Sequence, residues 1–350
     1  MGTSRRAHFI DDTEGVKQLD TPEVSVVLPL YNSENDVDSS MGEVERQTFG
    51  SFELIVVDDG STDGTFFAAR KHGEGRDGVR VIKTEHLGPS HARNVGLAAA
   101  RGGIVIFVES DCVYDPSFIS KAVAQFALEP GASAVCLTGA PLITRETLAT
   151  RCIDIENKIQ RKLLSEGKIK PFYAWVFRKA DLSKLGGFDE RLFQAEDRDL
   201  FRRMEQANYS VALVPGVNWR HRRDQTTSEL ARKWFWRGRT KVLYTIKHGL
   251  TYEALRTLLP LWATVAGLVL LGFAPLVGGA ILLVVAAMFI AYSLRVAMIS
   301  WSLVDEKKAF LGYPIFVLVR NFSTALGYTA ALPVIVSRKI RRKEVSWNTL

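Results

Sequence analysis

The chain has 350 residues, of which 47% are hydrophobic and 24% charged, with a net charge of +7 and a mean hydropathy of +0.04. That length excludes a small module, and that apolar content at this charge density excludes an ordinary soluble domain throughout. Three cysteines without metal-like spacing exclude a disulfide scaffold and fit a reducing compartment.

Residues 1–22 are polar, mixed in charge and without an apolar signal core, so they are expected to form a flexible tail that leaves the following residues on the side where they are made. Val24 to Leu30 is an apolar, β-branched strand ending in Pro29, Leu30, Tyr31 and Asn32. An amphipathic helix to about Gln47 follows, then a second strand, Phe52 to Val57, closed by Asp58, Asp59 and Gly60. Gly60 permits the turn, and Ser61 or Thr62 can cap the helix that Gly73 stops. Val79 to Lys83 is a third strand, Pro89 opens a helix stopped by Gly102 and Gly103, and Ile104 to Val108 is a fourth strand.

Strands alternating with helices at this spacing predict an α/β fold with a doubly wound, mostly parallel sheet. Ligands of such sheets bind beyond the carboxyl ends of the strands, and those ends carry Tyr31 and Asn32, Asp58 and Asp59, and the pair Glu109 and Asp111. Acidic residues after a buried strand also serve as loop residues or helix caps. As ligands, carboxylates two residues apart suit Mg²⁺ or Mn²⁺, which complete their shells with water and phosphate, so the implied partner is a nucleotide diphosphate. Cys112 abuts this pair and reads as a small buried thiol, because hard cations avoid sulfur. The chain has neither a dinucleotide-binding glycine fingerprint after the first strand nor a P-loop, so metal, not a glycine cradle, is expected to hold phosphate.

The segments Val26 to Asn32, Ile55 to Asp63, Ala92 to Gly96 and Glu109 to Asp111 resemble, in order and spacing, the nucleotide-binding half of the family 2 glycosyltransferases, which have the GT-A fold. The resemblance implies that Asp58 contacts the base of the nucleotide, Asp59 the base or ribose and Arg93 the base edge, with Pro29, Tyr31 and Asn32 beside them. Asp111 would ligate the metal bridging the phosphates. Glu109 stands where the family has an aspartate, and its longer carboxylate would act through water or the ribose.

Gly186 to Glu190 and Glu196 to Leu200 resemble the acceptor-side motifs of the family. The pattern predicts a helix from Glu196 to Asn208 with Leu200, Phe201 and Met204 inward. Glu196, Asp197 and Asp199 suit its N-terminal dipole, and with the upstream motifs Asp197 is expected to be the general base that deprotonates a sugar hydroxyl. His221 is either structural or close enough to approach phosphate or metal. These motifs bound a catalytic domain at 23–225.

Residues 226–256 interleave tryptophans with Arg232, Lys233, Arg237, Arg239, Lys241 and Lys247, as in helices at a membrane surface or helices packed on a catalytic domain. The basic excess therefore points to anionic lipid headgroups and away from nucleic acid. Thr257 to Leu294 lacks any charge and is expected to form a hairpin of two short spans turning at Pro275 to Gly279. Residues 309–337 form a spanning, re-entrant or interfacial segment, interrupted by Arg320, followed by a basic tail at 338–350. If this segment crosses, Arg320 is a partner for an acceptor phosphate, and otherwise it snorkels.

The resemblance and this layout together imply a membrane-anchored inverting glycosyltransferase. It would move a sugar from a nucleotide-diphosphate sugar to a hydroxyl of a lipid-linked or cell-surface glycan at the cytoplasmic membrane face. The alternatives are a polyprenyl-phosphate sugar synthase, whose ionised acceptor needs no base, and a non-catalytic membrane scaffold that binds nucleotide sugar.

Overall fold

The computed structural model describes residues 10–11, 21–137, 147–169, 175–214, 217, 219–221, 226–249, 252–303 and 307–340. The chain divides into two compact units, one of residues 1–142 with 164–223 and the other of 143–163 with 224–350. Residues 143–163, within the stretch 23–225 expected to form the catalytic domain, group with the C-terminal helices.

In chain order, the first unit begins with β1 (Ile10–Asp11) and β2 (Val24–Leu30), a one-turn 3₁₀ helix (Glu34–Asp36) and α1 (Val37–Glu45). It continues through β3 (Phe52–Asp58), α2 (Thr65–Gly73), β4 (Val79–Lys83), α3 (Pro89–Ala99), β5 (Ile104–Phe107), β6 (Cys112–Tyr114), α4 (Phe118–Leu128) and β7 (Ala132–Leu137). After α5 (Leu148–Ser165), which lies in the second unit as far as Leu163, come β8 (Val176–Arg178), α6 (Lys179–Lys184), α7 (Glu196–Gln206), β9 (Ser210–Val214) and β10 (Trp219–His221).

One eight-stranded sheet runs β1-β4-β3-β2-β5-β8-β7-β9, and β6 and β10 form a separate antiparallel pair. Strands β4, β3, β2 and β5 are mutually parallel, whereas β8 lies antiparallel between β5 and β7. The sheet is therefore mixed, mostly parallel at its centre. The expected flexible tail contributes β1, whose Ile10 and Asp11 pair with Lys83 and Ile82.

Strands β2 and β3 are apolar on both faces because both faces are covered. Val26, Leu28 and Leu30 pack into one layer with Met41, Phe118 and Ile119. Val27, Val57 and Phe107 pack into the other with Val95, Phe188 and Leu200. The alternation follows from the two-residue period of a strand. Buried Glu53 is an exception that the fold satisfies: Ser25 Oγ donates to it at 2.7 Å, and Arg101 donates from its backbone N–H and its Nε.

In the second unit, α5 packs Cys152 and Ile155 against Leu230 and Trp234 of α8 (Thr227–His248) and Tyr313, Phe316 and Val317 of α11 (Lys307–Ile340). A capping box closed by Thr226 and Glu229 starts α8. Between them, α9 (Tyr252–Phe273) and α10 (Pro275–Leu303) form a hairpin around Ala274. The expected turn over Pro275 to Gly279 is corrected: proline suits the first turn of a helix, so Pro275 begins α10.

Among the described residues, Ile315–Ser337 is the one stretch long and apolar enough to cross a membrane, and the apolar parts of α9 and α10, Leu261–Phe273 and Pro275–Met288, are shorter. Arg320, which was expected to bind phosphate or to snorkel, is ion-paired with Glu156 of α5, which also accepts from Tyr313 Oη at 2.7 Å. Residues 341–350 of the expected basic tail lie outside the described residues.

Candidate functional site

The parallel strands end at one edge of the sheet, and there a cleft of about 340 Å³ opens. Its lining includes Pro29, Tyr31, Asn32, Asp59, Arg93, Glu109 and Asp111. The sheet register explains the convergence: Leu30 pairs with Asp58, and Val27 with Phe107, so the residues after each strand emerge side by side.

Asn32 takes a left-handed backbone, φ 46°, which asparagine tolerates better than most residues. Its backbone N–H donates to Ser61 Oγ at 2.9 Å and its Oδ1 accepts from the Thr62 N–H at 2.9 Å. The two strand ends are thereby tied together. Asp58 is placed behind the lining, wholly buried, where it accepts from the Ser61 N–H and has Lys83 Nζ at 3.9 Å. It shapes the turn from inside.

Asp59 faces the cleft. Its Oδ1 accepts from the backbone N–H groups of Leu87 and Gly88, and its Oδ2 stands 2.9 Å from His86 Nδ1. Burial pushes the Asp59 carboxyl above the usual range against these donors, which pull it down. The His86 ring stacks on Tyr31 with centroids 3.8 Å apart and planes 11° from parallel. Neither His86 nor Phe193, which also lines the cleft, was marked by the sequence patterns. The signal that could have found His86 is a ring-bearing residue in a β4–α3 loop next to the Asp59 strand end.

Glu109, Asp111 and Cys112 offer ligand atoms that all lie within 4.8 Å of one another. Cys112 Sγ donates toward Glu109 Oε2 at 3.5 Å, and burial with both neighbouring acids raises its pKa strongly, so it remains a thiol. The carboxylates alone are the hard donors, a set that suits Mg²⁺ or Mn²⁺ with phosphate oxygens completing the shell. The backbone of His221 pairs with that of Cys112 in the β10–β6 register, one residue from Asp111.

Helix α3 joins this cleft to the acceptor-side motifs. Asn94 donates to the Phe188 carbonyl and to Glu190 and accepts from the Phe188 N–H, each at 2.9 Å, while Ser90 Oγ donates to the Leu192 carbonyl. Arg93, expected at a base edge, is bonded to Glu196 at 2.9 Å. Burial and Asp197 raise the Glu196 pKa while Arg93 opposes them. Asp197 follows in the first turn of α7, outside the cleft lining, its Oδ1 accepting from the Arg198 N–H at 2.7 Å. Ala195, before the helix, is held at φ 63°, a left-handed conformation that costs a residue bearing a Cβ.

Residues 25–186 match the family described as Glycosyl transferase family 2. The glycosyltransferase AglE of Haloferax volcanii is 27% identical over 208 residues, 56% of this chain and 66% of that protein. The enzyme WfgD of Escherichia coli, a UDP-Glc:alpha-D-GlcNAc-diphosphoundecaprenol beta-1,3-glucosyltransferase, is 34% identical over 92 residues, 26% of this chain and 36% of that protein. The matches thus span from about a third to just under two thirds of these relatives. The mannosyltransferase PcManGT of Pyrobaculum calidifontis, solved with GDP-Man and Mn²⁺, superposes with a TM-score of 0.55 at 21% identity, covering 94% of this chain and 91% of that one. That likeness is one of fold.

Proposed function

The chain carries a family 2 glycosyltransferase domain, and from that premise we propose that it is an inverting, divalent-metal-dependent glycosyltransferase. It moves a sugar from a nucleotide-diphosphate sugar to a hydroxyl of a lipid-linked or cell-surface glycan, at the cytoplasmic face of a membrane. The observation that carries this reading is the single cleft that gathers Tyr31, Asp59, Glu109 and Asp111 at the ends of neighbouring strands.

The roles follow from the donor set. The Tyr31–His86 pair offers a flat face to a base, Asp59 accepts from base or ribose, and Pro29 and Asn32 shape the same wall. Asp58 supports that wall from beneath. Asp111, with Glu109 directly or through water, would hold the cation, which when bound would supply charge neutralisation for a departing diphosphate. Asp197 takes the proton of the attacking hydroxyl, and Arg93 with Glu196 fixes the turn that presents it. A single displacement with the acceptor on one side and the diphosphate leaving on the other inverts the anomeric centre.

The activity of WfgD, transfer to a diphosphoundecaprenol-linked sugar, supports a lipid-linked acceptor. The exposed apolar helices of the second unit support residence at a membrane. The test is calorimetric titration of UDP, GDP and dTDP with and without Mn²⁺. The reading expects one nucleotide to bind in a metal-dependent manner and Asp111→Asn to abolish that dependence. Metal-independent binding, unchanged by Asp111→Asn, would contradict it.

A further inference from the structure

The apolar hairpin of the second unit ends in a tip with no polar side chain. The sequence across the bend is Leu270, Leu271, Gly272, Phe273, Ala274, Pro275, Leu276 and Val277, and the connection outside helix is Ala274 alone. Phe273 is 86% exposed and Leu276 is 90% exposed. A hairpin that crosses a bilayer must lift its bend into headgroups and water on the far side, where these side chains gain nothing. A bend of this composition belongs in hydrocarbon.

Length gives the same depth. Trp262 is half exposed on α9, and tryptophan prefers the level of the headgroups. From Trp262 to Phe273 a helix rises about 16 Å, roughly half of a ~30 Å hydrocarbon core. Gly267 and Gly278 let the two arms approach closely near the bend, so both reach the same depth.

Helix α11 passes every composition test for a span, yet its partner forbids one. Gly327, near the middle of Ile315–Ser337, abuts the Phe235 carbonyl and the Arg239 backbone N–H of α8, and a Cβ on Gly238 would strike the Thr324 carbonyl. The middle of α11 is therefore at the depth of α8, whose neighbouring Arg237 is exposed. Were α11 to cross, exposed Arg237 would sit near the bilayer midplane, where a charge is costly. The Arg320–Glu156 ion pair adds a second polar group to the first half of the same helix.

We propose that this protein is monotopic: the α9–α10 hairpin enters one leaflet and stops near its midplane, while α8 and α11 lie in the headgroup region of that same leaflet. The partner surface is an anionic lipid monolayer, matched by the exposed cations Arg232, Lys233, Arg237 and Lys247 of α8. The inference rests on the membrane reading proposed above and fixes its topology. It replaces the two crossing spans expected from the charge-free stretch.

The test uses single-cysteine reporters in the full chain, feasible because Cys112, Cys136 and Cys152 are buried. Ser228→Cys reports the α8 side and Leu276→Cys the bend, each probed with a membrane-impermeant maleimide in sealed vesicles of both orientations. The expected result is that Ser228→Cys reacts in one orientation, and Leu276→Cys in neither until detergent is added. Reaction of Leu276→Cys in the opposite orientation would overturn the one-leaflet topology while leaving the membrane reading intact. Protein that washes off the vesicles, with Leu276→Cys reactive in free solution or masked in a soluble dimer, would overturn both. As a second measurement, the pair Phe273→Asp and Leu276→Asp should lower vesicle binding by about tenfold or more with nucleotide binding unchanged, and undiminished vesicle binding would contradict the proposal.

Discussion

His86 Nδ1 lies 2.9 Å from the Asp59 carboxylate, and the same imidazole is stacked on Tyr31, so one ring both orients the acid of the cleft and extends its flat wall. Next to a carboxylate the Nδ1 position carries the hydrogen. Replacing His86 by Ala removes the stacking face and one of the donors to Asp59, while the Leu87 and Gly88 N–H groups remain. Nucleoside diphosphate affinity should fall by about tenfold, as a lost charge-assisted hydrogen bond and aromatic contact together imply. Calorimetric dissociation constants check this, and an unchanged constant would remove His86 from the site.

Gly60 sets where that ring can stand. Its φ is +65°, and a Cβ would lie 2.5 Å from the His86 backbone nitrogen. Gly60→Ala is expected to destabilise the protein by about 1–2 kcal/mol from the left-handed backbone alone, with a further loss from the displaced His86 loop. Thermal melts should show the loss of stability, and nucleotide affinity should fall at least as far as in His86→Ala.

Much of this site was legible before the fold was known. Runs such as Val24 to Leu30 are apolar at every position but Ser25 because the strand is covered on both faces, and their abrupt polar endings mark the sheet edge. Tyr31, Asp59, Glu109 and Asp111 were found that way, Arg93 only through the family resemblance, and all five line one cleft. His86 was not, because its role depends on β4 lying beside β3, a pairing that leaves no periodic trace in a loop. The burial of Asp58 behind its neighbour was equally hidden, since adjacent aspartates look alike until the turn is built. The antiparallel insertion of β8 and the grouping of α5 with the C-terminal helices depend on contacts between segments far apart in sequence.

The Arg93–Glu196 bond links the cleft to the turn before Asp197, and both side chains are largely buried. Removing one partner leaves the other uncompensated, whereas removing both does not. In a double-mutant cycle of Arg93→Met and Glu196→Gln, the coupling should be about 2 kcal/mol. Chemical denaturation measures it, and a coupling near zero would show that the pair positions nothing.

His91 Nδ1 stands 2.9 Å from Glu190, which raises the His91 pKa above its ordinary 6.5 and lowers that of Glu190 below its ordinary 4.5. The raised histidine contributes stability that is full below 6.5 and is lost as pH rises through its folded pKa. The lowered glutamate contributes stability that is present above 4.5 and is lost as pH falls through its folded pKa. The stability difference between wild type and His91→Gln should therefore peak between these values and shrink on either side. With Glu190 45% exposed, solvent screening limits the peak to about 1 kcal/mol. Melting temperatures across pH 4 to 9 check the shape, and a flat difference would contradict it.

The central claim is that nucleotide-sugar binding and sugar transfer are separable in this chain, the first resting on the cleft and the second on Asp197. The most direct measurement is nucleoside diphosphate release by wild type and Asp197→Asn, with Mn²⁺, a panel of UDP-, GDP- and dTDP-sugars and a total lipid extract as acceptor. Wild type should release one nucleoside diphosphate only when metal and extract are both present. Asp197→Asn should bind the same donor with unchanged affinity and lose about a hundredfold or more in transfer, the range of a missing general base. Transfer that survives Asp197→Asn, or donor binding by wild type without transfer to any acceptor in the extract, would contradict the account.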